Sequence, residues 1–147
     1  MKIVLQRVTK ASVVVQGKTV GQINRGVLLL VGIEKGDTEE EAKYLANKIA
    51  YLRIFPDSKG KMNLSLLEIN GQILAVSQFT LAASVRKGRR PSFDRAEQPE
   101  RAERIFNYLV EEIRNKGLKV KTGIFGAMME VFLINDGPVT YLLESKK

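Results

Sequence analysis

The sequence predicts an α+β fold in which a mainly antiparallel, barrel-like β-sheet is covered by two main helices. About eight short stretches rich in β-branched and apolar residues, separated by turn residues, predict the sheet. Two longer stretches, 38–52 and 99–117, carry apolar residues at helical spacing and predict the helices. At 147 residues the chain is long enough for one core, and we expect a single domain spanning residues 1–147.

The first third of the chain is predicted to form strands. KIVLQRV (2–8) and SVVVQG (12–17) are rich in β-branched residues, and GKTVG (17–21) is typical of a hairpin return. GVLLLVGI (26–33) is a continuous apolar run bounded by glycines. It therefore predicts a central strand that is buried on both faces.

Both helices have recognisable ends. The first is predicted to begin near Thr38, because Thr38 and Glu41 have the spacing of a capping box. The second is predicted to open at Pro99, which suits a first helical turn, and Gly117 is placed to cap its end. Each helix carries one apolar stripe that we expect to face the core. The stripes are Ala42, Leu45, Ala46, Ile49 and Leu52 in the first helix, and Ala102, Ile105, Phe106, Leu109, Val110 and Ile113 in the second.

The remaining strands lie between and after the helices. GQILAVSQFTLAAS (71–84) predicts a strand that can break near residues 77–80, and LKVKT (118–122) has the alternation of a strand. MEVFLI (129–134) and VTYLL (139–143) predict a strand pair. Asn, Asp, Gly and Pro between them are turn residues, so a hairpin corner is the simplest interpretation.

The composition restricts the chemistry. The sequence has no Cys and no His, which excludes disulfides, Cys/His zinc sites, Cys nucleophiles and triads that use imidazole as base. An enzyme of this composition must use hydroxyls, carboxylates, Lys, Arg, Tyr, backbone groups or the substrate itself. No apolar run approaches the roughly 18 residues of a membrane span, and the N-terminus lacks a signal peptide's apolar region. We therefore expect a cytoplasmic protein.

The charge is strongly basic, since 24 Lys and Arg residues against 16 Asp and Glu residues give a net charge of +8. Much of it lies in VRKGRRPSFDR (85–95), which has one acid, and in RNKGLKVK (114–121), which has none. A basic loop that contains glycine, such as 86–90, is a candidate for phosphate contacts. A solvated charged face is the alternative, and composition alone does not decide between them.

SQFTLAA (77–83) is the first candidate for chemistry, because Ser77, Gln78 and Thr80 introduce polar side chains after the apolar ILAV. A half-exposed edge strand is one interpretation. In a second interpretation, the end of the strand turns its backbone N–H groups toward a ligand. These groups then stabilise an oxyanion without any titrating side chain. In a third, Thr80 is a nucleophile, which requires an activating base from elsewhere in the fold.

The corner NDGP (135–138) is the second candidate. A tight turn is the simpler interpretation. Alternatively, Gly137 and Pro138 present a backbone edge to a set of substrates. That edge contacts the part that all of the substrates share and does not contact the part that differs between them. Asp136 is the first candidate base if the chain is a hydrolase that uses a carboxylate.

Motifs along essentially the whole chain resemble those of the D-aminoacyl-tRNA deacylases. Their order and spacing make the resemblance specific, although each motif alone is weak. They are QRV (6–8), GVLLLVGI (26–33), LRIF (52–55), GKMN (60–63), SQFTL (77–81), KGRRPSF (87–93), TGIFGAMMEV (122–131) and NDGPVT (135–140).

The resemblance implies a homodimeric enzyme without cofactor or metal. Such an enzyme hydrolyses the ester that joins a D-amino acid to the 3′-terminal adenosine of tRNA, removes glycine from mischarged tRNA, and spares L-aminoacyl-tRNA. It also implies a pocket lined by SQFTL, and therefore by Ser77, Gln78, Phe79 and Thr80.

Further residues receive roles from the same resemblance. Gly137–Pro138 is expected to be cis and to enter the partner subunit's pocket, with Arg7 and Thr140 supporting the motif. Met129 is expected to lie against the bound end of the substrate.

Two expectations about mechanism follow. Rigid carbonyls of the Gly-Pro motif would exclude an L substituent sterically, so glycine would pass. Hydrolysis would be assisted by the tRNA 2′-hydroxyl, with backbone N–H groups of Phe79 and Thr80 stabilising the oxyanion. A Thr80 acyl-enzyme is the competing mechanism.

Contacts with tRNA are expected from the basic loop. Lys87, Arg89 and Arg90 are the candidates for contacts with phosphates of the acceptor stem. A non-catalytic RNA-binding module is the leading alternative function, because basic charge alone permits it.

Overall fold

The computed structural model describes residues 1–145 and contains eight strands and two long helices in that range. The α+β class is confirmed. The elements in chain order are β1 (Lys2–Val15), β2 (Lys18–Ile23), β3 (Gly26–Gly32), α1 (Glu39–Tyr51), β4 (Phe55–Pro56), β5 (Met62–Leu64), α2 (Leu66–Ile69), β6 (Gln72–Ser77), a 3-10 helix (Phe79–Ala82), α3 (Pro99–Arg114), β7 (Lys119–Thr122) and β8 (Glu130–Glu144).

The main sheet is built around β1. Strand β8 runs antiparallel along one side of β1, while β3 and then β2 pair antiparallel along the other side. Strand β3 continues the sheet through parallel pairing with β6, which pairs parallel with β7. Antiparallel pairs predominate, as predicted, and β3 is the predicted central strand because it lies between β1 and β6 with both faces buried.

The sheet curls until β2 approaches β7, which makes it barrel-like. A Cβ atom on Gly21 of β2 would lie 2.7 Å from the backbone oxygen of Thr122 in β7, so the close approach requires glycine. Buried side chains fill the interior, namely Val8, Ala11, Val13, Ile23, Leu28, Leu74 and Val76.

Helices α1 and α3 cover the outer face of the sheet and bury the predicted stripes, except that Leu52 is only partly buried beyond the end of α1. The predicted capping box is present, because Glu41 Oε2 accepts the Thr38 N–H at 2.6 Å. Helix α3 begins at Pro99, as predicted. The residue that caps its end is Asn115, whereas Gly117, with φ +96°, lies two residues further on.

Three details of the predicted topology are wrong. Residues 2–15 form one strand rather than two. Strand β6 is not an edge strand, because it lies between β3 and β7. Residues 129–143 do not form a hairpin, because β8 runs continuously through NDGP and pairs with β1 on both sides of it. Long pairing with β1 thus overrides the local turn signal.

Candidate active site

The predicted break in β6 is confirmed, and it creates an exposed pair of amide groups. Gln78 follows the last residue of β6, and its N–H donates to the Val31 carbonyl at 2.7 Å. Its carbonyl then accepts the Leu81 N–H at 3.2 Å, which opens the 3-10 helix. The first N–H groups of a helix have no acceptor within it. Phe79 and Thr80 therefore present their N–H groups at an exposed surface.

The side chain of Gln78 holds the hydroxyl of Thr80. Gln78 Nε2 lies 2.6 Å from Thr80 Oγ1 and donates to it. Within residues 1–145, no carboxylate or amine hydrogen-bonds to this hydroxyl. The neighbouring Ser77 is half-buried at the end of β6. This arrangement orients the Thr80 hydroxyl but places no basic side chain of the described residues against it.

The basic loop, residues 84–92, is attached beside the 3-10 helix. Ser84 and Ser92 close its base with two backbone hydrogen bonds of 2.8 Å each. Phe93, directly after the loop, packs against Phe79, with the ring centroids 5.2 Å apart and the planes at 57°. The residues that are predicted to contact tRNA are exposed on this loop, and they form no ion pair within the described chain. These residues are Lys87, Arg89 and Arg90.

The second candidate segment is a bulge in β8. Four residues, 136–139, lie opposite Arg7 alone, because the residues on either side of Arg7 keep their pairing with β8. The Gly137–Pro138 peptide bond is cis, as the resemblance implies, and both residues are exposed.

Arg7 and Asn135 hold the backbone of this bulge. The buried Arg7 donates from Nε to the Asp136 carbonyl at 3.2 Å and from Nη1 to the Ile54 carbonyl at 2.6 Å. Arg7 Nε also lies 3.1 Å from the Asp136 carboxylate. Asn135 Nδ2 donates to the carbonyls of Arg7 and Val139, at 3.0 and 3.2 Å. The sequence does not single out Asn135, because an Asn before Asp-Gly-Pro is typical of a turn residue.

Thr140 lies within β8, and Met129 lies directly before it. The hydroxyl of Thr140, just after the bulge, accepts from Gln6 Nε2 at 3.2 Å. The half-buried Met129 precedes β8 and packs against Gly123, where a Cβ atom would lie 2.5 Å from the Met129 sulfur. The glycine therefore makes room for this methionine.

The two candidate segments do not meet within one chain. Arg7 of β1 lies beside Gly137 and pairs with Val27 of β3. Val27 pairs with Ile73 of β6, and Ser77 lies four positions further along β6. In an ideal sheet this register separates Gly137 from Ser77 by about 13 Å along the strands and about 14 Å across three strand spacings. The two segments therefore lie at separate places on the sheet of one chain.

The described residues contain no group of three or more His, Cys, Asp or Glu side chains able to hold a metal ion. No helix among residues 1–145 is long and apolar enough to span a membrane.

A family model described as D-Tyr-tRNA(Tyr) deacylase matches residues 4–144. The chain belongs to this family. It is 58% identical over 147 residues to the D-aminoacyl-tRNA deacylase of Koribacter versatilis, covering 100% of this chain and 99% of that protein. It is also 58% identical over 146 residues to the D-aminoacyl-tRNA deacylase of Bacillus cytotoxicus, covering 99% and 100%.

Two solved structures share the fold of this chain. One named c-Myc DNA Unwinding Element Binding Protein has a TM-score of 0.93 and 44% identity over 100% of both chains. A probable eukaryotic D-amino acid tRNA deacylase has a TM-score of 0.83 over 97% of both chains, and its 19% identity shows a shared fold. The prediction of a deacylase, a hydrolase that acts on the ester of aminoacyl-tRNA, is confirmed.

Proposed function

We propose that this deacylase hydrolyses the esters of D-aminoacyl-tRNA and of mischarged glycyl-tRNA, and that it spares L-aminoacyl-tRNA. Family membership supports the reaction, and the exposed amide pair of Phe79 and Thr80 is the observation that carries the mechanism. Since aminoacyl-tRNA is the substrate, we place the enzyme in the cytoplasm, acting as one domain of residues 1–147.

The amide pair would act as an oxyanion hole. As water adds to the ester, the carbonyl oxygen gains negative charge, and two N–H groups held at the start of the 3-10 helix stabilise that charge. Loss of one such donor in other hydrolases costs about 10²- to 10³-fold in kcat. The 2′-hydroxyl beside the ester assists the attack, so the protein needs no basic side chain there.

The contacts of Thr80 favour substrate assistance over a Thr80 nucleophile. A nucleophilic hydroxyl needs an adjacent base, and the partner of Thr80 Oγ1 is the amide of Gln78. Asp136 is also a poor candidate base, because its carboxylate lies 3.1 Å from the Arg7 guanidinium.

We infer a homodimer in which the Gly137–Pro138 segment of each chain reaches the other chain's amide pair. The separation of the two segments within one chain supports this arrangement. Strand β8, which pairs with β1 along one side, also exposes large apolar side chains, a pattern typical of a surface that associates. These are Phe132, Ile134 and Leu142, which are 54%, 50% and 60% exposed.

The exposed backbone at Gly137 and Pro138 would select by handedness. Oxygen atoms held close to the substrate Cα leave room for hydrogen on one side and for a side chain on the other. Arg7 and Asn135 hold the bulge and so limit its movement. A D-residue and glycine would then fit, whereas an L side chain would clash.

Hydrolysis of D-aminoacyl-tRNA with the enzyme at one hundredth of the substrate concentration tests the function. We expect many turnovers with the natural 3′ end, and a loss of at least about 100-fold when the terminal adenosine is 2′-deoxy. Equal rates on both substrates would contradict substrate assistance. Binding of tRNA without turnover would instead favour a non-catalytic RNA-binding module.

A further inference from the structure

We propose that Phe79 and Phe93 form a stacking platform for an unpaired nucleotide at the 3′ end of tRNA, and that cations of the basic loop hold the phosphates of the same strand. This inference rests on the proposed function. It assigns the surface beside the amide pair to the nucleotides that precede the terminal adenosine.

The two rings form an exposed aromatic surface. Phe79 is 59% exposed and Phe93 is 41% exposed, although their centroids are only 5.2 Å apart. A tilted aromatic pair at this distance is a favourable arrangement, so each ring limits the movement of the other. A platform ordered before binding loses less conformational entropy when a base stacks on it.

The charge beside the rings suits a nucleic acid strand. The loop between Ser84 and Ser92 contains four exposed cations, and among residues 1–145 none of the four is in an ion pair. They are Arg86, Lys87, Arg89 and Arg90. Proteins that bind single strands combine aromatic stacking with cations along the backbone. The Ser84–Ser92 hydrogen bonds fix this charge directly beside Phe93.

A second pair of exposed aromatic residues provides a matched control. Tyr44 and Tyr51 on α1 are 53% and 55% exposed. Their rings are already contacted by cations of the protein, Lys48 Nζ at 5.9 Å from Tyr44 and Lys116 Nζ at 5.7 Å from Tyr51. These rings also belong to a different element from the amide pair, so they are not expected to contact the 3′ strand.

The experiment compares two non-hydrolysable substrate analogues that carry a D-aminoacyl group in amide linkage. In one analogue the D-aminoacyl group is attached to adenosine alone. In the other it is attached to the terminal adenosine of a strand of three unpaired nucleotides. For each protein, the ratio of the two dissociation constants measures the contribution of the additional nucleotides. The wild-type protein should bind the longer analogue more tightly. We expect Phe93→Leu to reduce this gain in affinity about tenfold, because it removes a stacking ring. Phe93→Tyr keeps a ring and should retain the gain.

Each outcome decides the proposal. An unchanged ratio in Phe93→Leu overturns it, and so does an equal loss of affinity for both analogues, since Phe93 would then only position Phe79. A similar fall in ratio for Tyr44→Leu would also overturn it, because the effect would not be local. If the ratio falls as expected while the wild-type protein fails to hydrolyse D-aminoacyl-tRNA, the platform is supported and the proposed function is refuted.

Discussion

Replacement of Arg7 by methionine tests whether the bulge of β8 has to be held in place. Methionine keeps much of the apolar stem but removes two hydrogen bonds from a buried guanidinium, at 3.2 and 2.6 Å, to the carbonyls of Asp136 and Ile54. Hydrogen bonds to charged groups contribute about 1.5–3 kcal/mol each, so we expect the free energy of unfolding to fall by about 3–6 kcal/mol. The ion pair with Asp136 adds little, because that carboxylate is 39% exposed.

This loss should appear as a fall of about 10 °C in Tm for a protein of this size. Selectivity should fall as well, because a bulge that moves no longer excludes an L substituent. The assay is thermal unfolding followed by circular dichroism, together with release of L-amino acid from L-aminoacyl-tRNA at 25 °C. Arg104→Met is the matched control at an exposed position and should change stability by less than about 0.5 kcal/mol. A destabilised Arg7→Met variant that still spares L-aminoacyl-tRNA fully would refute the reasoning.

Three further predictions concern other parts of the molecule. Thr80→Ala should keep kcat within about tenfold of wild type in single-turnover hydrolysis, because the backbone amides remain, whereas loss of a nucleophile costs far more. A trapped acyl-Thr80 adduct would contradict this. Alanine at Lys87, Arg89 and Arg90 together should reduce the slope of log affinity against log salt by about 2–3 in tRNA binding. An unchanged slope would mean that these residues only face solvent. Asp37→Asn should cost about 3–5 kcal/mol in urea unfolding, because it weakens the buried partner of the Met1 ammonium at 2.7 Å. The exposed Asp94→Asn is the control, and equal stability of both variants would contradict the prediction.

The parts of the fold that depend on neighbouring residues could be predicted from the sequence. The capping box of Thr38 and Glu41 lies within one helical turn, so its residues identify each other. The start of α3 at Pro99 and the double burial of β3 follow from equally local patterns. The break after Ser77 was also predictable, because polar residues interrupt an apolar strand there.

The parts that depend on distant pairing could not be predicted in this way. NDGP has the composition of a turn, but residues of β1 more than 120 positions away hold it within a strand. The contact between Phe79 and Phe93 likewise depends on how the basic loop closes. The residue types of the candidate site were therefore visible in the sequence, whereas the separation of its two segments within one chain required the structure.

Release of amino acid from D-, L- and glycyl-tRNA, matched in tRNA and measured at catalytic enzyme concentration, tests the central claim most directly. The proposed backbone filter predicts fast release of D-amino acid and glycine and no release of L-amino acid above the uncatalysed rate. Equal release of D- and L-amino acids would contradict selection by handedness and leave an unselective esterase.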